Sequence, residues 1–343
     1  MADQTSLPLE LEREIFETTA LMHPGAIPTL LCVARRVLLW IEPLLYRVVR
    51  IGHGSLYSNM ARALLSKPPQ FCRDAVRHLA LEDFKWSLDE VAALLKLCTG
   101  IINLATIEEL EHPTLLPTLA EMRLQRLSVA LDRLFGGPEL IDPVHPLFAS
   151  VTHLDMFDSA DDVAATCAVI PALPALTHLC LNGEVPWNVI NTVLADCPRL
   201  ETLVNLRGSS TLTHAHPGGV PVRNVRFVEG TFEDYWSDWE AGAKGLPDFW
   251  ALADDFIARK RAGAIDGVSL ILQLPYILTD GSQPTAIVFD VIPPGQSDLA
   301  TGCASPCPSS PPCGEIFSGS TPASDIVREI HRLTNPLFND EIP

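Results

Sequence analysis

The chain has few basic residues for its length. It contains 24 lysines and arginines against 42 aspartates and glutamates, which gives a formal net charge of -18 over 343 residues. Proteins that bind nucleic acid need a basic face to neutralise phosphates, and binding to an anionic membrane surface is favoured by the same excess of positive charge. The composition therefore argues against nucleic acid and against a membrane as partners, and it permits a basic protein partner.

Long apolar runs and a secretory leader are also missing. No run approaches the ~18 apolar residues that a membrane-spanning helix needs, and the N-terminus lacks a basic segment followed by an apolar one. The nine cysteines are scattered, and six of them lie inside apolar helix or strand patterns. This distribution is typical of reduced, buried thiols. The sequence therefore predicts a protein of the cytoplasm or the nucleus.

Recognisable catalytic motifs are absent. The sequence has no Gly-x-Ser-x-Gly, no phosphate-binding glycine loop with its lysine and no His-Glu-x-x-His. Cys303, Cys307 and Cys313 lie in a tract of proline and serine without a fourth ligand close by, which makes a poor zinc site. We therefore expect neither an enzyme nor a cofactor.

The segment from Leu7 to Arg50 carries more apolar positions than a small helical unit needs for its own core. A break at His23-Pro24-Gly25 and the spacing of the apolar residues predict three short helices. The ordered set is Leu7-Pro8-x-Glu10, Ile15-Phe16, the run from Leu30 to Arg36, Trp40 and Leu44. A unit of about forty residues cannot bury all of these side chains, so we expect an apolar face to remain exposed.

This ordered set resembles an F-box, of the type found in F-box-like proteins of mushroom-forming fungi. It departs from the family where Val37-Leu38-Leu39 stands between the arginine run and the tryptophan. The resemblance implies that the segment docks on a Skp-type adaptor and so joins a cullin-RING ubiquitin ligase. The residues expected to form the docking face are Leu7, Pro8, Ile15, Leu30, Val33 and Trp40. The alternative is that they form the core of a three-helix cap.

A degenerate repeat follows the helical segment. Seven segments share leucine-like positions and begin at Val76, Ile101, Leu124, Val151, Leu176, Leu200 and Val222, with spacings of 25, 23, 27, 25, 24 and 22 residues. These spacings are typical of leucine-rich repeats, and the passage Asp196-Cys197-Pro198-x-Leu200 resembles the type associated with F-boxes. Because each unit is too small to fold alone, stacking must supply the core. The expected fold class is α/β, with an F-box-like bundle followed by a short solenoid with a parallel sheet.

Alignment of the repeats places polar residues on one outward row of the sheet. The third positions are His78, Asn103, Arg126, His153, His178, Thr202 and Asn224, and the fifth positions are Ala80, Ala105, Ser128, Asp155, Cys180, Val204 and Arg226. Neighbouring strands lie about 4.8 Å apart, so His153, His178, Asp155 and Cys180 would be close enough for a metal site, although a plain polar surface is the simpler interpretation. We expect a concave surface that contacts a target protein through His78, Asn103, Arg126, His153, Asp155, His178 and Arg226.

The composition divides the rest of the chain. The predicted division is 1–50 for the helical bundle, 51–75 for a linker helix, 76–230 for the solenoid, 231–279 for a C-terminal capping segment and 280–343 for a largely disordered tail. In the capping segment, Tyr235, Trp236 and Trp239 are expected to shield the last repeat, with an interaction patch as the alternative. A helix from Pro247 to Ala262 and a strand from Val268 to Pro275 should follow.

These expectations lead to a hypothesis about function. The chain is expected to act as an F-box-like adaptor that joins an unidentified target protein to the ligase. The alternative is a repeat-based interaction scaffold without ligase coupling. A hydrolase would be favoured only if a deep pocket brought together His153, Asp155 and His178 with shifted pKa values.

Overall fold

The computed structural model of the protein describes residues 7–52, 55–82, 85–159, 161–208, 222, 224–232, 234–265 and 271–273. The disordered tail that the sequence predicts, and with it Cys303, Cys307 and Cys313, lies outside these residues. Within them the protein has an α/β fold, as predicted, with one parallel sheet of nine strands. None of the described helices is long and apolar enough to cross a membrane.

The strands follow one another in the sheet in chain order, from β1 to β9. Their bounds are β1 Val48–Ile51, β2 His78–Leu81, β3 Asn103–Thr106, β4 Arg126–Val129, β5 His153–Met156, β6 His178–Asn182, β7 Thr202–Gly208, β8 Phe227–Phe232 and β9 Ile271–Gln273. The predicted last strand is confirmed as β9, which pairs with β8.

Three helices precede the first strand, and the others lie in the connections between strands. Their bounds are α1 Leu9–Met22, α2 Ile27–Leu31, α3 Arg35–Leu45, α4 Ser55–Leu65, α5 Pro69–Ala75, α6 Leu88–Leu97, α7 Leu116–Leu119, α8 Leu131–Phe135, α9 Val163–Cys167, α10 Trp187–Asp196, α11 Tyr235–Ala243 and α12 Phe249–Arg261. Short 3-10 turns fill in at Pro24–Ala26, Glu108–Leu110, Pro113–Leu115, Pro138–Leu140, Pro146–Ala149 and Ile170–Ala172.

The first strand was not predicted. Residues Val48 to Ile51 pair with β2 in parallel, with Val48 opposite His78, although the sequence assigned them to the end of the bundle and the start of a linker helix. Two helices, α4 and α5, then follow in place of one. The strand escapes a search for the repeat because it lacks the leucine pattern, and it reads instead as Val-Val-Arg-Ile.

The predicted register holds from β2 to β7 and fails at β8. His78, Asn103, Arg126, His153, His178 and Thr202 are successive partners across the sheet. At the last repeat the structure pairs Leu203 with Phe227 instead of Val225, a shift of two residues. The reason is packing, because the Phe227 side chain is fully buried against the edge of the Trp187 ring, whereas Val225 is 39% exposed. Asn224 therefore lies before the strand and leaves the row.

The leucine positions form the main core beneath one face of the sheet. Leu79, Leu104, Leu127, Leu154 and Leu179 are almost completely buried there, under the helices that connect the strands. Local sequence signals determine where these helices begin. At α6, for example, Ser87 and Glu90 form a reciprocal capping box, because the Ser87 hydroxyl accepts from the Glu90 amide and the Glu90 carboxylate accepts from the Ser87 amide.

The opposite face of the sheet is covered as well. Small apolar side chains at the fifth repeat positions, including Ala80, Ala105, Cys180 and Val204, pack against aromatic residues of α11 and α12. All-parallel sheets normally have both faces covered, because their strands are apolar on both sides. The predicted helix from Pro247 to Ala262 is confirmed as α12, but α11 and α12 lie across the face of the sheet. The sequence predicted a cap over the last repeat, whereas these two helices cover one face of the sheet. We call α11 and α12 the covering helices.

The N-terminal helices α1, α2 and α3 have a small core of their own. It is formed by Ala20, Ile27, Leu31, Val37 and Ile41. Pro43 lies in the last turn of α3, which remains one helix. This unit is fastened to the rest of the chain by an ion pair between Glu42 and Lys67, at 2.6 Å.

Candidate functional site

Four of the six residues predicted to form the docking face are exposed. The exposed fractions are 55% for Leu7, 52% for Ile15 and 56% for Val33, and Pro8 is exposed as well. Leu30 and Trp40 are half-buried and pack against the small core of the N-terminal helices. The structure therefore divides the predicted set into exposed residues and supporting residues.

Further apolar residues are exposed on the same helices. Leu11 and Met22 on α1 are 47% and 69% exposed, and Leu39 on α3 is 63% exposed. Ile15 follows Leu11 by four residues and Met22 follows Ile15 by seven, so these three side chains share one face of α1. Leu7 lies two residues before the start of α1 and is exposed as well. We call Leu7, Leu11, Ile15 and Met22 the α1 stripe. The helical spacing of apolar residues could have identified Leu11 and Met22 from the sequence.

An ion pair fixes α1 against α3. The Arg36 guanidinium donates to both carboxylate oxygens of Glu12, with the shortest distance 2.6 Å. The opposite side of α1 from the stripe packs inward through Phe16 and the buried Ala20. The α1 stripe therefore points away from the small core.

The row of polar residues on the sheet face lies under the covering helices. The Trp239 indole Nε1 donates to the Oδ1 atom of Asn103 at 3.3 Å. The Arg126 guanidinium donates to the Asp248 carboxylate at 2.6 Å, and this carboxylate also accepts from the Ala251 amide and so caps α12. The prediction that Asn103 and Arg126 meet a separate target protein is therefore corrected, because the chain's own helices occupy that place.

His153 and His178 are neighbours, as the register predicts. Their rings stack with centroids 4.1 Å apart and an interplanar angle of 9°, and the Trp250 ring meets both edge-on. The Nε2 atom of His178 lies 3.2 Å from the Asp254 carboxylate on α12. Burial, followed by the adjacent His178, lowers the pKa of His153 to about 3, so its imidazole is neutral near pH 7. These two rings therefore hold α12 on the sheet.

Asp155 is buried in the same region and fully engaged. It accepts hydrogen bonds from the Tyr235 hydroxyl on α11 and from the Asn182 amide group. Burial raises its pKa to about 6, although these hydrogen bonds oppose the rise. Burial also raises the pKa of the Cys180 thiol well above its usual value. No group of three His, Cys, Asp or Glu side chains in the described residues could hold a metal ion.

His78 and Arg226, at the two ends of the predicted row, have different surroundings. The His78 Nδ1 atom is buried without a hydrogen-bond partner, and burial lowers the pKa of this imidazole to about 4. The Arg226 guanidinium donates to the carbonyls of Leu194, Cys197 and Leu200 at the end of α10. The Arg226 guanidinium is therefore engaged within the fold, which corrects the prediction for this residue, whereas the half-buried His78 stays a predicted contact.

A small cavity remains between the sheet and the covering helices. Arg126, His153, Asp155, Tyr235 and Trp250 are among the residues that line it, and its volume of about 10 Å³ is that of a single water molecule. His178 is not among the lining residues. The deep pocket that would favour a hydrolase is therefore absent from this part of the described structure.

Buried acids at the carboxyl ends of β3 and β5 hold the backbone of the intervening repeat. Glu111 accepts from the Ala130 amide at 2.9 Å, and Asp158 accepts from the amides of Leu131 and Asp132 at 3.2 and 2.9 Å. Burial is the main cause that raises the pKa of Glu111, to about 8. Sequence reasoning missed these acids because they follow the strands at irregular positions. They connect neighbouring repeats and do not form a binding site.

Comparisons with known proteins give no family for this chain. No model of a protein family matches it, and none of the curated proteins that were compared with it matches either.

Proposed function

We propose that the protein is an F-box-like adaptor of a cullin-RING ubiquitin ligase, which binds a Skp-type adaptor through its N-terminal helices and holds a target protein with the rest of the chain. The observation that carries the proposal is the exposure of the α1 stripe on helices that already have a buried core. Exposed apolar residues at helical spacing are typical of a helix that binds in a groove of another protein. The F-box resemblance of Leu7-Pro8, Ile15-Phe16 and the segment up to Trp40 supports the same partner.

We propose further that the strand and helix units are degenerate leucine-rich repeats. The sequential parallel pairing of strands, spaced at 22 to 27 residues in the sequence alignment, supports this assignment. The Asn182 and Asn205 side chains donate to backbone carbonyls where the preceding strand ends, at Met156 and Leu181. Such side chains stabilise the turn from one repeat to the next.

The target would bind elsewhere than at the row of polar residues, because the covering helices occupy that face of the sheet. Tyr235, Trp239, Phe249, Trp250 and Phe256 of the covering helices are each at most 6% exposed. Burial of a large apolar side chain contributes roughly 1.5–3 kcal/mol, so these five together contribute on the order of 10 kcal/mol. A target that binds with the covering helices in place is therefore favoured, because opening these helices would expose all five side chains to water.

Co-purification with a Skp-type adaptor tests the proposal. The variant with Leu7→Asp and Ile15→Asp should lose the adaptor, because two carboxylates would have to be desolvated in an apolar groove. The variant with Leu140→Asp and Val144→Asp is a matched control, since these apolar residues are also exposed but lie in the connection between β4 and β5.

The outcomes separate the candidate functions. Loss of the adaptor in the α1 variant alone supports the proposal. Absence of any Skp-type partner from the unmodified protein would contradict it and favour the scaffold without ligase coupling. The point variants are preferred to removal of residues 1–50, since that truncation would remove three of the four residues of β1.

A further inference from the structure

The four glutamates of α1 differ in how they are paired. Glu12 is bound by Arg36, and Glu17 accepts from Arg13 at 2.7 Å. Glu10 and Glu14 are exposed, and neither has an ion-pair partner among the described residues. They are four residues apart, which places two like charges next to each other on the helix and costs a few tenths of a kcal/mol.

Glu10 and Glu14 lie beside the α1 stripe. Glu10 precedes Leu11 and Glu14 precedes Ile15, so each acid lies about 100° around the helix from its apolar neighbour. Both acids therefore form a rim beside the Leu11 and Ile15 part of the apolar surface, and the exposed Leu21 lies on the same side of α1 two turns beyond Glu14. Glu10 also lies in the first turn, where a negative charge favours the helix end, but Glu14 lies beyond that turn. The helix alone therefore does not account for Glu14.

The charge of this rim selects among possible occupants. An anionic membrane would be repelled, although an exposed amphipathic helix otherwise suits a membrane surface. A second copy of the chain, laid stripe against stripe, would bring the acids of both copies together. A protein groove with an apolar floor and basic side chains on one rim satisfies both the stripe and the acids.

We propose that the docking groove of the Skp-type adaptor meets Glu10 and Glu14 with lysine or arginine side chains, so that charge steers the docking of the α1 stripe. This inference rests on the proposed function and specifies the partner's surface. Charges at the rim of an interface act mainly on the association rate and on its dependence on salt. The apolar stripe supplies most of the affinity, and the two acids set the orientation in which α1 enters the groove.

Binding of a purified Skp-type adaptor at several salt concentrations tests the proposal. For the unmodified protein, the association rate should fall as salt rises. The variant with Glu10→Gln and Glu14→Gln should associate several-fold more slowly at low salt and show little dependence on salt. The variant with Glu10→Lys and Glu14→Lys should bind at least about tenfold more weakly, because like charges then face each other.

The control carries the same change of net charge elsewhere. Glu121→Lys with Glu184→Lys alters two exposed acids outside the N-terminal helices and should leave binding within twofold of the unmodified protein. Unchanged binding of the Glu10 and Glu14 variants to the adaptor would overturn this inference and leave the proposed function intact. Failure of the unmodified protein to bind the adaptor would overturn both. Dimerisation of the Glu10 and Glu14 glutamine variant, in which the like-charge repulsion between two stripes is removed, would identify a second copy as the occupant and would also overturn it.

Discussion

The N-terminal helices leave apolar side chains exposed, whereas both faces of the sheet are covered. Among the described residues, thirteen large apolar side chains are exposed, and eight of them lie between Leu7 and Leu39. The sheet is covered on both faces, by the connecting helices on one side and by the covering helices on the other. The chain therefore buries apolar surface on both faces of the sheet and leaves it exposed on the N-terminal helices, a difference that the proposed docking on a partner would explain.

The largest expected effect on stability concerns the covering helices. Phe256 is completely buried between α12 and the sheet, so Phe256→Ala should lower the free energy of unfolding by about 3–5 kcal/mol. Leu39→Ala, at a site that is 63% exposed, should change it by less than about 0.5 kcal/mol. Denaturant unfolding of both variants provides the measurement. A loss below about 1 kcal/mol for Phe256→Ala would show that the covering helices are loosely attached.

A second prediction concerns the ion pair that holds α12. Arg126→Met leaves the Asp248 carboxylate buried with the Ala251 amide as a hydrogen-bond donor and should cost about 2 kcal/mol, since Arg126 is itself partly exposed. Arg13→Met removes an exposed pair with Glu17 on α1 and should cost at most about 0.5 kcal/mol. Equal losses in the two variants, measured by denaturant unfolding, would contradict the assignment of the buried pair.

The third prediction uses pH. The pKa of Glu111 is about 8 in the folded protein against 4.5 for the ordinary side chain, so the folded state holds this proton more tightly. The stability that this provides is present below pH 4.5 and is lost as the pH rises towards 8. Glu111→Gln cannot titrate, so its stability relative to the unmodified protein should improve by about 1–3 kcal/mol from pH 5 to pH 8.

Unfolding at a series of pH values measures this difference. Glu139→Gln, at an exposed acid, is the control and should give a difference that does not vary with pH. A Glu111→Gln difference that is flat between pH 5 and pH 8 would mean that the carboxyl of Glu111 is not held in its protonated form.

The smallest expected effect on stability concerns the exposed apolar residues of the N-terminal helices. Because Leu7 and Ile15 are each more than half exposed, replacement of both by aspartate should change the free energy of unfolding by less than about 1 kcal/mol. Circular dichroism during thermal unfolding is a sufficient measurement. A loss of about 3 kcal/mol or more would place these residues in a core and would remove the reason for a docking surface.

The sequence predicts most strands of the sheet well and the elements around them less well. The leucine pattern identifies the strands from β2 to β7 and the order of residues in their row, because leucine spacing follows directly from strand geometry and burial. It misses β1, whose residues lack leucine, and it misplaces β8, where the size of Phe227 outweighs the alignment of Val225.

Of the covering helices, α12 was predicted as a helix and α11 was not, and the position of both across the sheet was missed. The polar residues of the row suggested an open surface, whereas the small side chains at Ala80, Ala105 and Cys180 in the same strands leave room for helices to approach the sheet. Long-range pairs such as Arg126 with Asp248 join residues 122 positions apart, and no local pattern can reveal them. The exposure of the α1 stripe, in contrast, follows from an excess of apolar residues that can be counted in the sequence.

Hydrogen exchange of backbone amides, with and without a purified Skp-type adaptor, tests the central claim most directly. In the free protein, α12 should exchange as slowly as the central strands, because both are buried in continuous cores. Addition of the adaptor should slow exchange in α1 and leave α11 and α12 unchanged. Unaltered exchange in α1, or faster exchange in α12 when the adaptor binds, would contradict the account of a covered sheet joined to an exposed docking helix.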